Sequence, residues 1–311
     1  MYGKVKNVIM WALTYKCNMT CKYCFLRDSV THQNELADEE CINLAKSIAS
    51  DTTWRPDAIW LTGGEPTIKK SLPKIIEILE KANIKCVITS NGFCNGKKIM
   101  EILSASPRGI NISLDPIEGG FNNQLRGQTK WVIESIKMIS RYKSSKTILG
   151  VSSVISQRNI CMLYDFAKYL KSIGVEYLSV NPLIGNKSKY TTTDIQMLID
   201  TCENISNKLE LMIPSKFYFY LLSQHLSQSP PVLKCPAGDH YFFISPWGDF
   251  FPCSNELWQN QNKSKKLELN LKSSLSCLQE LFHTDMLTTC SSCFGDRCIG
   301  CWKLYYDTIF T

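Results

Sequence analysis

Six times between residues 5 and 180 a short run rich in β-branched and apolar residues is followed by a longer stretch of helical periodicity, and this alternation narrows the fold more than any other feature. The strand-like runs are 5–15, 57–62, 84–89, 109–114, 147–154 and 175–180. Between and after them lie expected helices at 38–50, with Asp38 as its N-cap, then 71–82, 96–104, 129–142, 160–173 and 192–208. Strands that alternate with helices pair in parallel through right-handed crossovers, so the expected class is α/β. The expected architecture is a parallel sheet wound with right-handed crossovers, with ligands gathered at the carboxyl ends of its strands. That edge collects the polar and glycine-rich peptides: CNMTCKYC, TGGEP, TSNG, SLDP and VNPLIG.

The chain has 311 residues, 44% of them apolar and 20% charged, which suits a large globular domain with a small appendage. Its formal net charge of +7 is spread among lysines rather than gathered in a tail. That pattern permits a nucleic-acid partner without indicating one, and nucleic acid is not the expected substrate. Apolar runs such as 57–61 and 241–247 are far shorter than the ~18 residues a membrane span needs. The basic start MYGKVK leads through an apolar run into cysteines rather than a cleavage site, so neither export nor a membrane is expected.

Fifteen cysteines are the compositional anomaly. An odd total in a long chain without a secretion signal speaks for metal or cluster ligation in a reducing, cytoplasmic compartment. Cys17, Cys21 and Cys24 form a CxxxCxxC loop just after the first strand. Three thiolates on one tight loop suit three irons of a 4Fe–4S cluster whose fourth iron stays open. A structural zinc would ask for a fourth protein ligand, and the nearest histidine is His32. Six further candidate ligands, Cys235, Cys253, Cys290, Cys293, Cys298 and Cys301, lie with a seventh cysteine, Cys277, in a tail that begins near residue 231, dividing the chain into units 1–230 and 231–311. The first pair flanks a hairpin turn at 246–249.

CxxxCxxC with an aromatic residue before its last cysteine, after the first strand, resembles the radical S-adenosylmethionine superfamily, and the resemblance implies that the α/β sheet forms a partial (β/α)6 TIM-like barrel. Leu61-Thr62-Gly63-Gly64-Glu65-Pro66 resembles that family's GGEP segment, which receives the methionine amino group. The resemblance implies a 4Fe–4S cluster on Cys17, Cys21 and Cys24, with S-adenosylmethionine chelated at the open iron. It implies cofactor contacts from Gly63, Gly64 and Glu65, the last offering a carboxylate to an ammonium. Ser90, Ser152 and Arg126 are candidates for the ribose and methionine carboxylate, and Asn181 lies where adenine is cradled in relatives. Asn91, Ser113 and Arg158 are further edge candidates. Asp115 is the expected substrate-facing catalytic group, and Cys161 is a candidate hydrogen donor.

The tail resembles the SPASM or twitch auxiliary-cluster domain, but its CxxCx4CxxC core departs from the full SPASM pattern, and those six candidate cysteines cannot fully ligate two clusters. One auxiliary 4Fe–4S cluster on Cys235, Cys253 and two of Cys290, Cys293, Cys298 and Cys301 is favoured. A second cluster with an open ligand and a structural zinc are the rival readings. The implied activity is reductive cleavage of S-adenosylmethionine and hydrogen abstraction from an unactivated carbon, fed by a flavodoxin- or ferredoxin-type electron donor. The favoured substrate is a peptide residue, to be oxidised, crosslinked or epimerised during ribosomal peptide maturation. A small polar metabolite such as an aminocyclitol, an RNA or nucleobase, and a non-catalytic iron–sulfur role are the alternatives. A first strand starting near residue 5 leaves no room before it for a leader-peptide recognition domain.

Overall fold

The computed structural model describes residues 7–24, 26, 34–183, 190–226 and 240–251. Cys235, Cys253, Cys290, Cys293, Cys298 and Cys301, with the expected boundary near 230, lie outside the described residues.

The alternation builds six parallel strands: β1 (Val8–Thr14), β2 (Ala58–Gly63), β3 (Lys85–Ser90), β4 (Gly109–Ser113), β5 (Ile148–Ile155) and β6 (Tyr177–Pro182). They lie side by side in chain order, which is the order short right-handed crossovers produce. The helices are α1 (Asp38–Ser50), α2 (Leu72–Lys81), α3 (Gly96–Ser104), the short α4 (Phe121–Leu125), α5 (Thr129–Tyr142), α6 (Leu163–Ser172), α7 (Thr192–Leu209) and α8 (Lys216–Leu226). The expected partial (β/α)6 barrel is thus borne out.

Each packed helix buries one stripe. Leu72, Ile75, Ile76 and Leu79 of α2, and Leu163, Phe166, Ala167 and Leu170 of α6, follow the i, i+3, i+4, i+7 spacing of a single helical face. Their partners are alternate strand residues such as Ile9, Trp11, Leu13, Ile59, Leu61, Leu149 and Val151, all fully buried in one continuous core. The other side of the sheet is polar toward its carboxyl edge, where register aligns Thr89 with Asn111, Ser113 with Ser152, and Ser152 with Ser179.

Two expectations change. Asp38 does not cap α1: Ala37 holds the N-cap position, and the Asp38 carboxylate accepts the Ser71 backbone N–H at 2.8 Å, tying α1 to the start of α2. The helix expected at 160–173 opens as a tighter 3-10 turn at Ile160–Met162 before α6, because Asn159 Oδ1 accepts the Ser156 N–H and folds the chain back at that point.

The hairpin was legible, but not its place. β7 (Tyr241–Ile244) and β8 (Phe250–Phe251) pair antiparallel about a turn where Gly248 has φ +90°. β7 then pairs parallel with β1, Val8 opposite Tyr241 and Trp11 opposite Ile244, extending the sheet to eight strands. Among the described residues no helix is long and apolar enough to cross a membrane.

Candidate active site

The cysteine loop is held from three sides. Its entry is fixed where β1 ends, with the Thr14 hydroxyl and Tyr15 N–H both donating to the Glu35 carboxylate at 2.7 Å. Glu35 escaped the sequence reading, since it sits in a loop about twenty residues from its partners and carries no local pattern. On the second side lies the GGEP segment. Gly64 N–H donates to Thr14 O at 2.7 Å and Glu65 N–H to Lys16 O at 2.9 Å. A Cβ on Gly63 would stand 2.1 Å from Thr14 O, and one on Gly64 2.3 Å from Lys16 O. Both positions therefore need glycine so that backbone can lie against backbone at the mouth of the cysteine loop.

The Glu65 carboxylate is fully buried and set among donors of the fold. Oε1 accepts the Ser90 hydroxyl at 2.8 Å and the Thr67 N–H at 3.0 Å, while Oε2 accepts the Asn91 N–H at 2.6 Å. Ser90 is likewise spent internally, since its oxygen also accepts the Gly92 N–H at 3.0 Å. Together they set the loop after β3, and that loop meets the cysteines. Asn91 Nδ2 donates to Asn18 Oδ1 at 2.8 Å and lies 3.6 Å from Cys17 Sγ, and Asn18 Nδ2 donates to Phe93 O at 2.6 Å. Asn91 was one edge candidate among many in the sequence, and here it is the link between GGEP and Cys17.

Burial of Glu65 raises its pKa above the usual carboxylate value, against the opposing pull of its three donors. An acid whose folded pKa is raised binds its proton more tightly folded than unfolded. Stability is then lost as pH rises from about the unfolded value near 4.3 through the folded pKa. In urea titrations of the metal-free protein, wild type should lose stability with rising pH across that window relative to Glu65→Gln, whatever the constant offset between them. Parallel curves would refute this account.

The third side is a latch. Asp115, just beyond β4, is fully buried, and its carboxylate takes Arg126 Nε at 2.9 Å, the Val154 N–H at 2.8 Å and the Tyr23 hydroxyl. The Arg126 guanidinium also lies over the Tyr23 ring, 5.1 Å from its centroid, and Lys22 N–H donates to Leu125 O at 2.9 Å. Burial works most strongly against the Arg126 charge, but the Asp115 carboxylate together with Tyr23 and Cys21 outweighs it and raises the pKa. Asn122 sets the geometry, accepting the Asp115 N–H at 2.9 Å and donating to Thr129 Oγ1 at 2.8 Å. As it stands, the expected substrate-facing Asp115 has its oxygens engaged by the protein. Ser152 and Asn181 meet on the polar side of β5 and β6, Asn181 Nδ2 donating to Ser152 Oγ at 2.9 Å and to Ser179 Oγ at 3.0 Å. Cys161 is exposed in the 3-10 turn beyond β5, and Arg158 is exposed nearby.

Among the described residues no three His, Cys, Asp or Glu side chains converge on one metal ion. A 4Fe–4S cluster does not need that convergence, because each thiolate binds a different iron. The cysteine loop fits that demand. Cys21 and Cys24 are partly buried, Cys17 is exposed, and Cys17 Sγ accepts the Met19 N–H at 3.4 Å, a donor of the kind that supports a thiolate. Desolvation raises the Cys17 and Cys21 pKa values in the metal-free loop, Arg126 opposing it at Cys21. The other described thiols differ. Cys41, Cys86 and Cys202 are buried, with burial pushing Cys41 up to about 11, and Cys94 is pushed up to about 12. Peptide mapping after brief anaerobic alkylation of the metal-free native protein should therefore find Cys17 and Cys161 modified first and Cys41, Cys86 and Cys202 last. Early labelling of Cys86 would contradict the packing.

Strands in chain order, a three-cysteine loop at the end of the first and a GGEP turn at the end of the second define a radical S-adenosylmethionine enzyme. The family model described as the Radical SAM superfamily matches residues 11–170, just over half of the chain, and the chain belongs to that superfamily. It is 25% identical over 303 residues to an uncharacterized protein of Methanocaldococcus jannaschii, MJ0907, covering 91% of this chain and 98% of the other. It is 26% identical over 204 residues to a probable GTP 3',8-cyclase of Sulfolobus acidocaldarius, covering 63% of each chain. Among solved structures it is similar to Streptococcus suis SuiB bound to precursor peptide SuiA, with TM-score 0.69 and 17% identity, over 97% of this chain and 70% of that one.

Proposed function

We propose that the protein modifies a residue of a peptide by radical chemistry, using a 4Fe–4S cluster on Cys17, Cys21 and Cys24. The observation that carries this reading is the cysteine loop itself, clamped between GGEP and the Asp115–Arg126–Tyr23 latch. With cluster and S-adenosylmethionine bound, one electron cleaves the sulfonium to methionine and a 5′-deoxyadenosyl radical able to take hydrogen from an unactivated carbon. The chain's own residues supply placement. Gly63, Gly64 and Glu65 present backbone, not the carboxylate, to the methionine end. The polar set Ser113, Ser152 and Asn181 faces the nucleoside, and Asp115, Arg126 and Tyr23 act as positioning residues for the loop.

A peptide substrate is favoured over a nucleotide by extent. The likeness to SuiB, whose structure holds a precursor peptide, spans 97% of the chain, while that to the probable GTP cyclase spans 63%. The tail cysteines support one auxiliary 4Fe–4S cluster on Cys235, Cys253 and two of Cys290, Cys293, Cys298 and Cys301.

The deciding experiment is anaerobic reconstitution with iron and sulfide, then Mössbauer spectroscopy and iron counting on wild type and the Cys17/Cys21/Cys24 triple alanine variant. About eight irons falling to about four is expected for one radical and one auxiliary cluster, four per cluster. No loss of iron in the variant would overturn the assignment of the loop.

A further inference from the structure

The inner face of the sheet carries polar groups that neither the cysteine loop nor the nucleoside level uses. Side chains alternate along a strand, so where Leu61, Ile88, Ile110 and Leu149 join the helix-side core, Thr62, Thr89, Asn111 and Gly150 stand on the opposite face. Register sets these four in one row. Thr89 pairs with Asn111, Asn111 pairs with Gly150, and Thr62 follows Leu61, the partner of Ile88. The row lies one inward step below Ser113 and Ser152. One step further down, Trp60 beside Val87 closes the interior with buried apolar bulk.

Asn111 is the anomaly of the row. It is 2% exposed, and its Oδ1 is buried with no hydrogen-bond partner among the described residues. An unpaired buried oxygen is a standing cost to the fold, and natural structures keep few of them without a use. The sheet leaves room around this one. Its neighbour is Gly150, where a Cβ would stand 2.9 Å from Asn111 Oδ1 and 3.1 Å from Tyr177 Cδ1. Thr62 and Thr89 are partly exposed, and their hydroxyls enter no hydrogen bond among the described residues, unlike Ser152, Ser179 and Asn181, which bond to one another. The row holds no charged residue, and the carboxylates nearer the edge, Glu65 and Asp115, are each taken up by three donors.

We propose that Thr62, Thr89 and Asn111 form a specificity subsite for a substrate side chain that ends in a neutral carboxamide, as in asparagine or glutamine. Asn111 Oδ1 accepts an N–H of that group, and the threonine hydroxyls donate to its carbonyl oxygen. The inference rests on the radical reading given above and narrows its substrate. Trp60 and Val87 close the floor, so a continuous peptide chain cannot pass through the row and only the end of a side chain reaches it. A carboxylate of the same shape would set oxygen against Asn111 Oδ1, and the row offers no cation to either a carboxylate or a stranded charge.

The test uses the reconstituted enzyme with S-adenosylmethionine bound and three probes of similar bulk, the N-acetyl N-methylamides of asparagine, aspartate and leucine. Followed by saturation-transfer NMR, the asparagine probe should bind about tenfold tighter than the other two, which share its backbone amides. That preference should vanish in Asn111→Leu and shrink in Thr89→Val, which keeps the shape and removes only the hydroxyl. Because Asn111→Leu deletes an unpaired acceptor rather than a bond, the urea midpoint of the metal-free variant should be no lower than that of wild type. A midpoint clearly below wild type would show that Asn111 serves the fold and would overturn the subsite. Equal binding of the three probes by wild type would overturn it as well, as would a preference untouched by both variants. A preference for asparagine in an enzyme that forms no 5′-deoxyadenosine under dithionite would leave the subsite standing and overturn the radical reading instead.

Discussion

Cys21→Ala should abolish S-adenosylmethionine cleavage while leaving the polypeptide folded. In the proposed cluster Cys21 is the middle ligand of the loop, and two thiolates would leave one of three irons without its protein ligand. The expected fall in 5′-deoxyadenosine formation under dithionite is ~10³-fold or more, limited by assay background rather than by residual catalysis. The fold should not follow, because Cys21 is only partly buried and its removal leaves no sealed cavity. Circular dichroism and the urea midpoint of the metal-free protein should stay within about 1 kcal/mol of wild type. Unchanged cleavage would remove the loop from the chemistry altogether, whereas collapse of the metal-free fold would show that Cys21 is a packing residue.

Asp115→Ala should do the reverse, striking the fold as hard as the chemistry. The side chain is fully buried, and deleting it strands the Arg126 guanidinium, the Val154 N–H and the Tyr23 hydroxyl together. Breaking a buried pair so that one charge is left uncompensated costs about 3–5 kcal/mol. For a chain of this size that corresponds to a fall in Tm of roughly 5–8 °C. The loss should be partly relieved in Asp115→Ala/Arg126→Met, which removes the orphaned charge as well. A double variant no better than the single would mean that Asp115 acts through Val154 and Tyr23, not through the ion pair. Iron uptake by the single variant should fall with stability, since Tyr23 stands between two of the cluster ligands.

What the sequence showed of this molecule divides along lines of interaction range. β-Branched runs and helical stripes are local, so the six strands were legible from spacing alone, while their closure into a partial barrel came with the family resemblance. The cysteine loop and GGEP were legible because their chemistry is concentrated in a few adjacent residues. The orientation of Glu65 was not, because nothing in GGEP tells that Thr67, Ser90 and Asn91 will surround it with donors. Asp115 is a similar case. Its place at the end of a strand was visible, but its partners Tyr23, Arg126 and Val154 come from three separate segments, and only packing brings them together. Glu35 left no trace at all. The pairing of β7 with β1 joins residues more than two hundred positions apart, a relation that apolar content in YFFI announces without naming the partner.

That last pairing has a consequence for how the molecule is made. β1 leaves the ribosome more than two hundred residues ahead of β7, yet its outer edge, along Val8 to Trp11, finds its neighbour only when Tyr241 to Ile244 emerges. At 5–20 residues per second the wait lasts roughly 10–50 s. Throughout it an apolar strand, VIMWALT, presents unpaired backbone groups to whatever other nascent chains are near. Chains interrupted before residue 240 would keep that edge bare, so aggregation should be most severe in truncations that spare the whole six-stranded unit and remove only the hairpin.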